Sequence, residues 1–353
     1  MEIYDLLAYM GEVKASDLHL RPNSPPIYRI DGELIKTKQE PLLADDVHLL
    51  VFDIMSGDHR KRYEEELTID FSAEFHGIGR FRVNVFRSYY GDAVVFRAIN
   101  EYTYSFEELG LPQVLKKLAI QDQGLILITG PTGCGKTTTL NTVIDFINST
   151  QKKHIITIED PIEYIHKSKN SLVTHREVGV NTHSFAGALR SALREDPDVI
   201  VVGEMRDMET TSLAISAAET GHLVFGTLHT MDAPHTIDRI IDQFPPIQQN
   251  QIRLMASESL LAVMTQRLLK RKTGGRVSAF EILIGIPAVA NLIREGKTYQ
   301  LSSVIQTHSK IGMTSMQQSI EKLYAQSLIS KEEMLLVEKE SDRLIESLSG
   351  ANK

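Results

Sequence analysis

"LILITGPTGCGKTTTL", residues 125–140, carries an apolar run into a glycine-rich loop and out into the segment "TTTLNTVIDFI". The eight residues from Gly130 to Thr137 match G-x-x-x-x-G-K-[ST], and a strand before and a helix after are the setting that pattern needs. Gly130, Gly133 and Gly135 let backbone N–H groups approach phosphate oxygens, and the helix N-terminus adds partial positive charge. In such a loop Lys136 reaches the β- and γ-phosphates and the Thr137 hydroxyl holds Mg²⁺. Gly130, Pro131, Thr132, Gly133, Cys134, Gly135, Lys136, Thr137 and Thr138 therefore form the expected nucleotide-binding set, with ATP and Mg²⁺ as cofactors. Cys134 reads as a small side chain that the loop tolerates.

Working outward, "GLILIT", "HIITIE", "VIVVG", "LVFGT" and "SAFEIL" are apolar runs spaced by helical segments. Near-continuous β-branched runs of this kind predict a parallel sheet covered on both faces. This α/β P-loop domain is expected over residues 113–285, with a helical region over 286–353. Boxes at Ser315 with Gln318 and at Ser330 with Glu333 predict helix starts, and "EKESDRLIESLSGANK" reads as a solvated helical end.

Upstream, residues 1–100 read as a smaller α/β domain. "RFRVNVFRSYY", a turn at Gly91–Asp92 and "AVVFRAI" predict a hairpin with Phe81, Val83 and Val85 on one face and Arg80, Arg82 and Asn84 on the other. The stretch 101–112 loses periodicity, ends in Gly110 and Pro112, and reads as a linker.

Two further runs bring carboxylates to strand ends. "EDPIEY", residues 159–164, follows "IITI", and open α/β sheets bind ligands at that edge. Pro161 turns the chain there, so Glu163 can swing toward a water in line with the γ-phosphate. "DVIVVGEMRD", 198–207, ends on Glu204, where a carboxylate holds Mg²⁺ directly or through a water. In "TGHLVFGTLHT", His229 follows a strand and can touch the γ-phosphate or the attacking water, whereas His222 precedes it and reads as structural. Arg82 and Arg97 have two open readings: a solvated strand face, or arginines that neutralise transition-state charge if their domain folds over a nucleotide.

The formal charge of -8 and a pI near 5.9 argue against a protein held mainly by nucleic-acid phosphates. One cysteine among 353 residues rules out an internal disulfide and points to a reducing compartment. "MEIYDLLAYMGEV" lacks the basic start of a secretory signal, and no apolar run is long enough to cross a bilayer.

Taken together these residues resemble the secretion ATPase superfamily, and within it the type IV pilus retraction ATPases. "ASDLHLRPNSPPIYRIDGEL" is similar to the family's N-terminal opening, "ITGPTGCGKTTTL" to its Walker A loop, "TIEDPIEY" to its Asp box, "VIVVGEMRD" to its atypical Walker B and "TGHLVFGTLHT" to its His box. The resemblance covers nearly the whole chain. It implies a PAS-like N-terminal domain, a RecA-like ATPase domain and a helical C-terminal extension. It further implies Mg²⁺ at Glu204 and Thr137, a catalytic base at Glu163, nucleotide-sensing His222 and His229, and Arg82 and Arg97 closing on a neighbour's nucleotide.

Such proteins are cytoplasmic homo-hexamers, peripheral to the inner membrane at the pilus base. They hydrolyse ATP and act through an inner-membrane platform protein, and only indirectly on pilin. "PAVANLIREG", 287–296, resembles the retraction-associated motif A-I-R-N-L-I-R-E, with Ala290 where the motif has arginine. Extension and secretion ATPases of the same superfamily are longer and carry a four-cysteine metal site, against which the single cysteine speaks. A retraction-assisting paralogue stays open. A ring helicase or DNA translocase would need a basic channel, and a non-catalytic scaffold would not need Lys136, Glu163 and Glu204 together.

Overall fold

Strand alternation in the first hundred residues and continuous apolar runs beyond them produce two different sheets in the computed structural model, which describes residues 2–30, 32–99 and 103–335. The end read as a solvated helix lies outside those residues, as do positions 101 and 102 of the stretch read as a linker. The chain divides into two compact units, Met1–Tyr102 with Pro161–Ile165, and Thr103–Asp160 with His166–Lys353.

The first unit runs α1 (Ile3–Glu12), β1 (Asp17–Leu20), β2 (Ile27–Ile30), β3 (Glu33–Lys36), α2 (Ala44–Ile54), α3 (Gly57–Glu66), β4 (Thr68–Phe75), β5 (Gly79–Ser88) and β6 (Gly91–Ile99). Its six strands are ordered β3-β2-β1-β6-β5-β4, and neighbours pair antiparallel throughout. Phe81, Val83 and Val85 enter the core with Leu18, Tyr63 and Phe96, so one face packs as the alternation requires. The hairpin turn is Tyr89–Tyr90, with Ser88 opposite Gly91, and not Gly91–Asp92. Two forces place it there. Gly91 takes φ +125° as β6 begins, and Asp92 is drawn inward to accept from the Tyr63 hydroxyl at 2.5 Å and to meet Arg87 at 2.6 Å.

The second unit begins with α4 (Phe106–Leu109) and α5 (Gln113–Ala119). Part of the predicted linker is thus ordered. Ser105 and Glu108 close a capping box, and Phe106 and Leu111 are buried in this unit's core. One helical turn is too short to leave a periodic signal.

Next come β7 (Gly124–Thr129), α6 (Lys136–Thr150), β8 (His154–Glu159), β9 (Leu172–Glu177), α7 (Phe185–Ala192), β10 (Val199–Val202), α8 (Met208–Glu219) and β11 (Leu223–Leu228). The unit continues through α9 (Ala233–Asp242), α10 (Pro246–Ser259), β12 (Leu260–Lys270), β13 (Arg276–Ile284), α11 (Pro287–Arg294), α12 (Leu301–Thr307) and α13 (Met316–Ala325). Its sheet is ordered β13-β12-β7-β11-β10-β8-β9.

The six residues of β7 are all buried because both faces are covered. Leu125 and Leu127 pack with Ala214 and Ile237 of α8 and α9, while Ile126 and Ile128 pack with Leu140 and Val143 of α6. Every pairing from β9 to β12 is parallel, but "SAFEIL" lies in β13, which runs antiparallel to β12. A short connection over 271–275 joins β12 to β13, and a connection of that length cannot cross over into a parallel strand. Ser315 and Gln318 form the expected box. At Ser330 only half of it forms: the hydroxyl accepts from Glu333 N–H, while the Glu333 carboxylate accepts from Lys270 N–H at 2.9 Å.

Candidate active site

Parallel strands in register deliver their following loops to one edge. Thr129 of β7 lies opposite Leu228 of β11, and Val202 of β10 opposite Gly226. The loop 130–135, Glu204 and His229 are therefore neighbours although up to 99 residues separate them in the chain.

The loop depends on its glycines. Gly130, Gly133 and Gly135 have φ of +139°, +78° and +91°, and a Cβ on Gly130 would sit 2.4 Å from the Gln266 carbonyl oxygen. Pro131 is half-buried, Thr132 and Gly133 are exposed, and Thr137 and Thr138 are half-buried in the first turn of α6. Cys134 is buried, which pushes its thiol above the ordinary range and keeps it protonated although Lys136 pulls the other way. That environment argues against a reactive thiolate.

Lys136 donates to the carbonyls of Gly130 at 2.7 Å and Pro131 at 3.1 Å, and its ammonium lies 3.4 Å from His229 Nδ1. His229 Nε2 lies 3.3 Å from Glu204 Oε1. An ammonium can only donate and a carboxylate can only accept, so both contacts are hydrogen bonds when the imidazole is neutral with its proton on Nε2. His229 thereby bridges the loop lysine to the Glu204 carboxylate.

Glu204 also receives Arg206 at 2.6 Å. Burial alone would raise its pKa, but the hydrogen bond and charge of Arg206, with the contact to His229, outweigh it and hold the carboxyl below its usual value. Asp160, at the end of β8, adds a further negative charge beside Arg206. The backbone is as constrained as the side chains: Gly203 N–H donates to the Ile158 carbonyl at 2.8 Å, and a Cβ there would meet Ile158 O at 3.0 Å and Glu159 Cα at 3.3 Å. Glycine precedes Glu204 because β10 lies too close to β8 for a side chain.

His222 does not join this group on its own chain. It stands at the amino end of β11, where its carbonyl accepts from Gly124 N–H at 3.0 Å and its Nδ1 meets the Ala217 carbonyl at 3.0 Å. The seven-residue step from His222 to His229 along an extended strand spans roughly 20 Å. On its own chain His222 thus ties α8 to the start of β7, at the end of the strand away from the loop.

Glu163 belongs to Pro161–Ile165, which groups with the first unit, as do Arg82 and Arg97. Arg82 and Arg97 are cross-strand partners on β5 and β6, and each is matched by an acid: Arg82 with Asp70, and Arg97 with Asp17 at 2.7 Å. Arg97 keeps 66% of its side chain exposed.

Two residues at the loop edge carried no signal that singled them out. Arg206 stood inside the quoted "VIVVGEMRD" without a role. Gln266, in β12, donates to the Cys134 carbonyl at 2.8 Å and accepts from Thr139 Oγ1 at 2.7 Å.

Residues 3–347 match the family described as type II/IV secretion system protein. The chain is 51% identical over 332 residues to the type IV pilus retraction ATPase PilT of Pseudomonas aeruginosa, covering 94% of this chain and 96% of that one. It is 52% identical over 308 residues to a twitching motility protein of Neisseria gonorrhoeae, covering 87% and 82%. A crystal structure of the pilus retraction motor PilT with bound ADP superposes with a TM-score of 0.88 at 49% identity, over 95% of this chain and 96% of that chain. With its phosphate loop, Glu204 and His229 assembled at one sheet edge, the chain belongs to the type II/IV secretion system protein family, as an ATPase of the group that contains the pilus retraction ATPases.

Proposed function

We propose that this chain is the ATP-driven motor that shortens type IV pili, working as a homo-hexamer on the cytoplasmic side of the inner membrane. The observation that carries the reading is the Lys136–His229–Glu204 bridge at the carboxyl edge of the parallel sheet, in a chain alike over nearly its full length to a retraction ATPase. The glycine loop supplies amides for the phosphates, and Lys136, which donates to loop carbonyls, gains by exchanging those neutral acceptors for anionic phosphate oxygens.

The donors near the loop suit Mg²⁺: a carboxylate held ionised at Glu204 and the Thr137 hydroxyl are hard oxygen ligands. When bound, that ion neutralises charge developing on the phosphates. Glu163 orients and deprotonates the attacking water. Because His229 touches both Lys136 and Glu204, a change at the phosphates alters its partners, which suits a sensor of nucleotide state.

Arg82 and Arg97 act on a neighbouring subunit's nucleotide. Each pairs with a carboxylate, so a phosphate competes with Asp70 for Arg82 and with Asp17 for Arg97, and Arg29 stays beside Asp17 when Arg97 turns away. The force passes to an inner-membrane platform protein and through it to pilin, without nucleic acid.

Steady-state phosphate release by the purified chain tests the chemistry. Glu163→Gln should bind ATP with near-normal affinity and fail to turn it over; turnover at the wild-type rate would remove Glu163 from its role. Cells lacking the gene should carry pili that extend and do not shorten, and normal shortening in cells without any paralogue would contradict the motor assignment.

A further inference from the structure

Gln266 lies in the middle of β12 and is 2% exposed. Its amide is occupied on three sides: Oε1 accepts from Thr139 Oγ1 at 2.7 Å, and Nε2 donates to the Cys134 carbonyl at 2.8 Å and to Ser278 Oγ at 3.1 Å. Its backbone carbonyl forms the wall that excludes any side chain at Gly130. One residue therefore meets the first glycine of the loop, the peptide that joins Cys134 to Gly135, and the first turn of α6.

The contact at Cys134 fixes a direction. In a trans peptide the carbonyl of one residue and the N–H of the next point opposite ways. Drawing the Cys134 carbonyl toward β12 aims the Gly135 N–H away from the strand, to the side on which the loop offers amides to phosphate. Gly135, at φ +91°, has the conformational freedom to let that peptide turn over if nothing held it. A carbonyl in place of that N–H would set a partial negative charge against the phosphate oxygens.

We infer that Gln266 is a positioning residue for nucleotide binding: it holds the Cys134–Gly135 peptide in the orientation that receives a phosphate and anchors it to Thr139 and Ser278. This rests on the reading of the loop as the nucleotide site.

The test is titration of the purified full-length chain with a fluorescent ADP derivative, alongside KM and kcat for ATP and the melting temperature without nucleotide. Gln266→Met keeps length and removes every amide contact. It should raise the Kd for ADP about tenfold and raise KM similarly, with kcat at saturating ATP within about twofold. Thr139→Val, nearly the same shape, removes only the hydroxyl that steadies the amide and should raise Kd about threefold. The double variant should bind little worse than Gln266→Met, since both changes loosen one peptide.

Wild-type Kd in folded Gln266→Met, or a loss of kcat at unchanged KM, would overturn the inference. Should Gln266→Met fail to fold, Thr139→Val decides alone, and unchanged affinity there overturns it. Failure of the wild-type chain itself to bind ADP would instead sink the nucleotide reading on which this rests.

Discussion

The two sheets display their polar residues in opposite ways. The parallel sheet collects residues 136, 204 and 229 at one edge, because parallel strands all end on the same side and each loop starts there. The antiparallel sheet spreads its charges across a face, as rungs of neighbouring strands: Ser72, Arg82, Arg97, Asp17 and Arg29 stand in register on β4, β5, β6, β1 and β2. At the edge, charges converge on the side where open α/β sheets bind ligands. On the face they are balanced locally, with Asp17 between Arg97 and Arg29 and Asp70 against Arg82. Convergence reads as a site within one chain, whereas a balanced ladder has chemistry to do only when another anion arrives.

The strongest way to break that contrast is on the face. Arg82→Ala and Arg97→Ala should each lower kcat by about 10³ while leaving ADP affinity unchanged, the signature of arginines that stabilise transition-state charge. Unaltered kcat in both would reduce the ladder to a structural feature. At the edge, Glu204→Gln keeps shape and removes the charge, and should cost about 10²-fold in Mg²⁺-dependent turnover, read as a raised Mg²⁺ requirement.

The two ends of β11 give a sharper comparison inside one sheet. His229→Ala should lower kcat/KM about tenfold, near the value of one charge-assisted hydrogen bond. His222→Ala should change it by less than about twofold and show its effect in stability instead, having lost only a tie to the Ala217 carbonyl.

A smaller effect concerns acid stability on the sheet's far flank. Burial, then the nearby His175 and Lys169 charges, push the His166 pKa down from 6.5 to about 3. The folded value lies below the unfolded one, so the unfolded chain takes up a proton that the folded chain refuses. The stability this provides is intact above pH 6.5 and falls as the pH drops toward about 3, at a slope of about 1.4 kcal/mol per pH unit for one proton. Denaturant unfolding at stepped pH should show that slope in the wild type and a shallower one in His166→Asn.

Much of this architecture was legible, for a physical reason in each case. Strands buried on both faces announce themselves as continuous apolar runs, which is why "GLILIT" and "HIITIE" coincide with β7 and β8. The loop was legible because its glycines and lysine serve backbone geometry and charge that no other residues supply.

Other elements had no such signature. The edge strand β9 reads "LVTHRE", half-buried and polar, and β12 follows α10 without a break in "ASESLLAVMTQRLLK", so neither stands out by composition. The hairpin turn was misplaced because glycine and aspartate resemble turn residues, whereas Asp92 is spent on Tyr63 and Arg87 in the interior. Gln266 was invisible for a related reason: a single polar residue in a strand reveals its partners only once Cys134, 132 positions earlier, is folded against it.

The central claim is that the carboxyl edge of the parallel sheet is a Mg²⁺-dependent ATP-hydrolysing site built on Lys136. Phosphate release by the purified wild-type chain and by Lys136→Ala, each with Mg²⁺ and with chelator, tests it most directly. Release by the wild type only when Mg²⁺ is present, and none above background from Lys136→Ala, is the predicted result. Equal release from both chains, or release that persists in chelator, would contradict it.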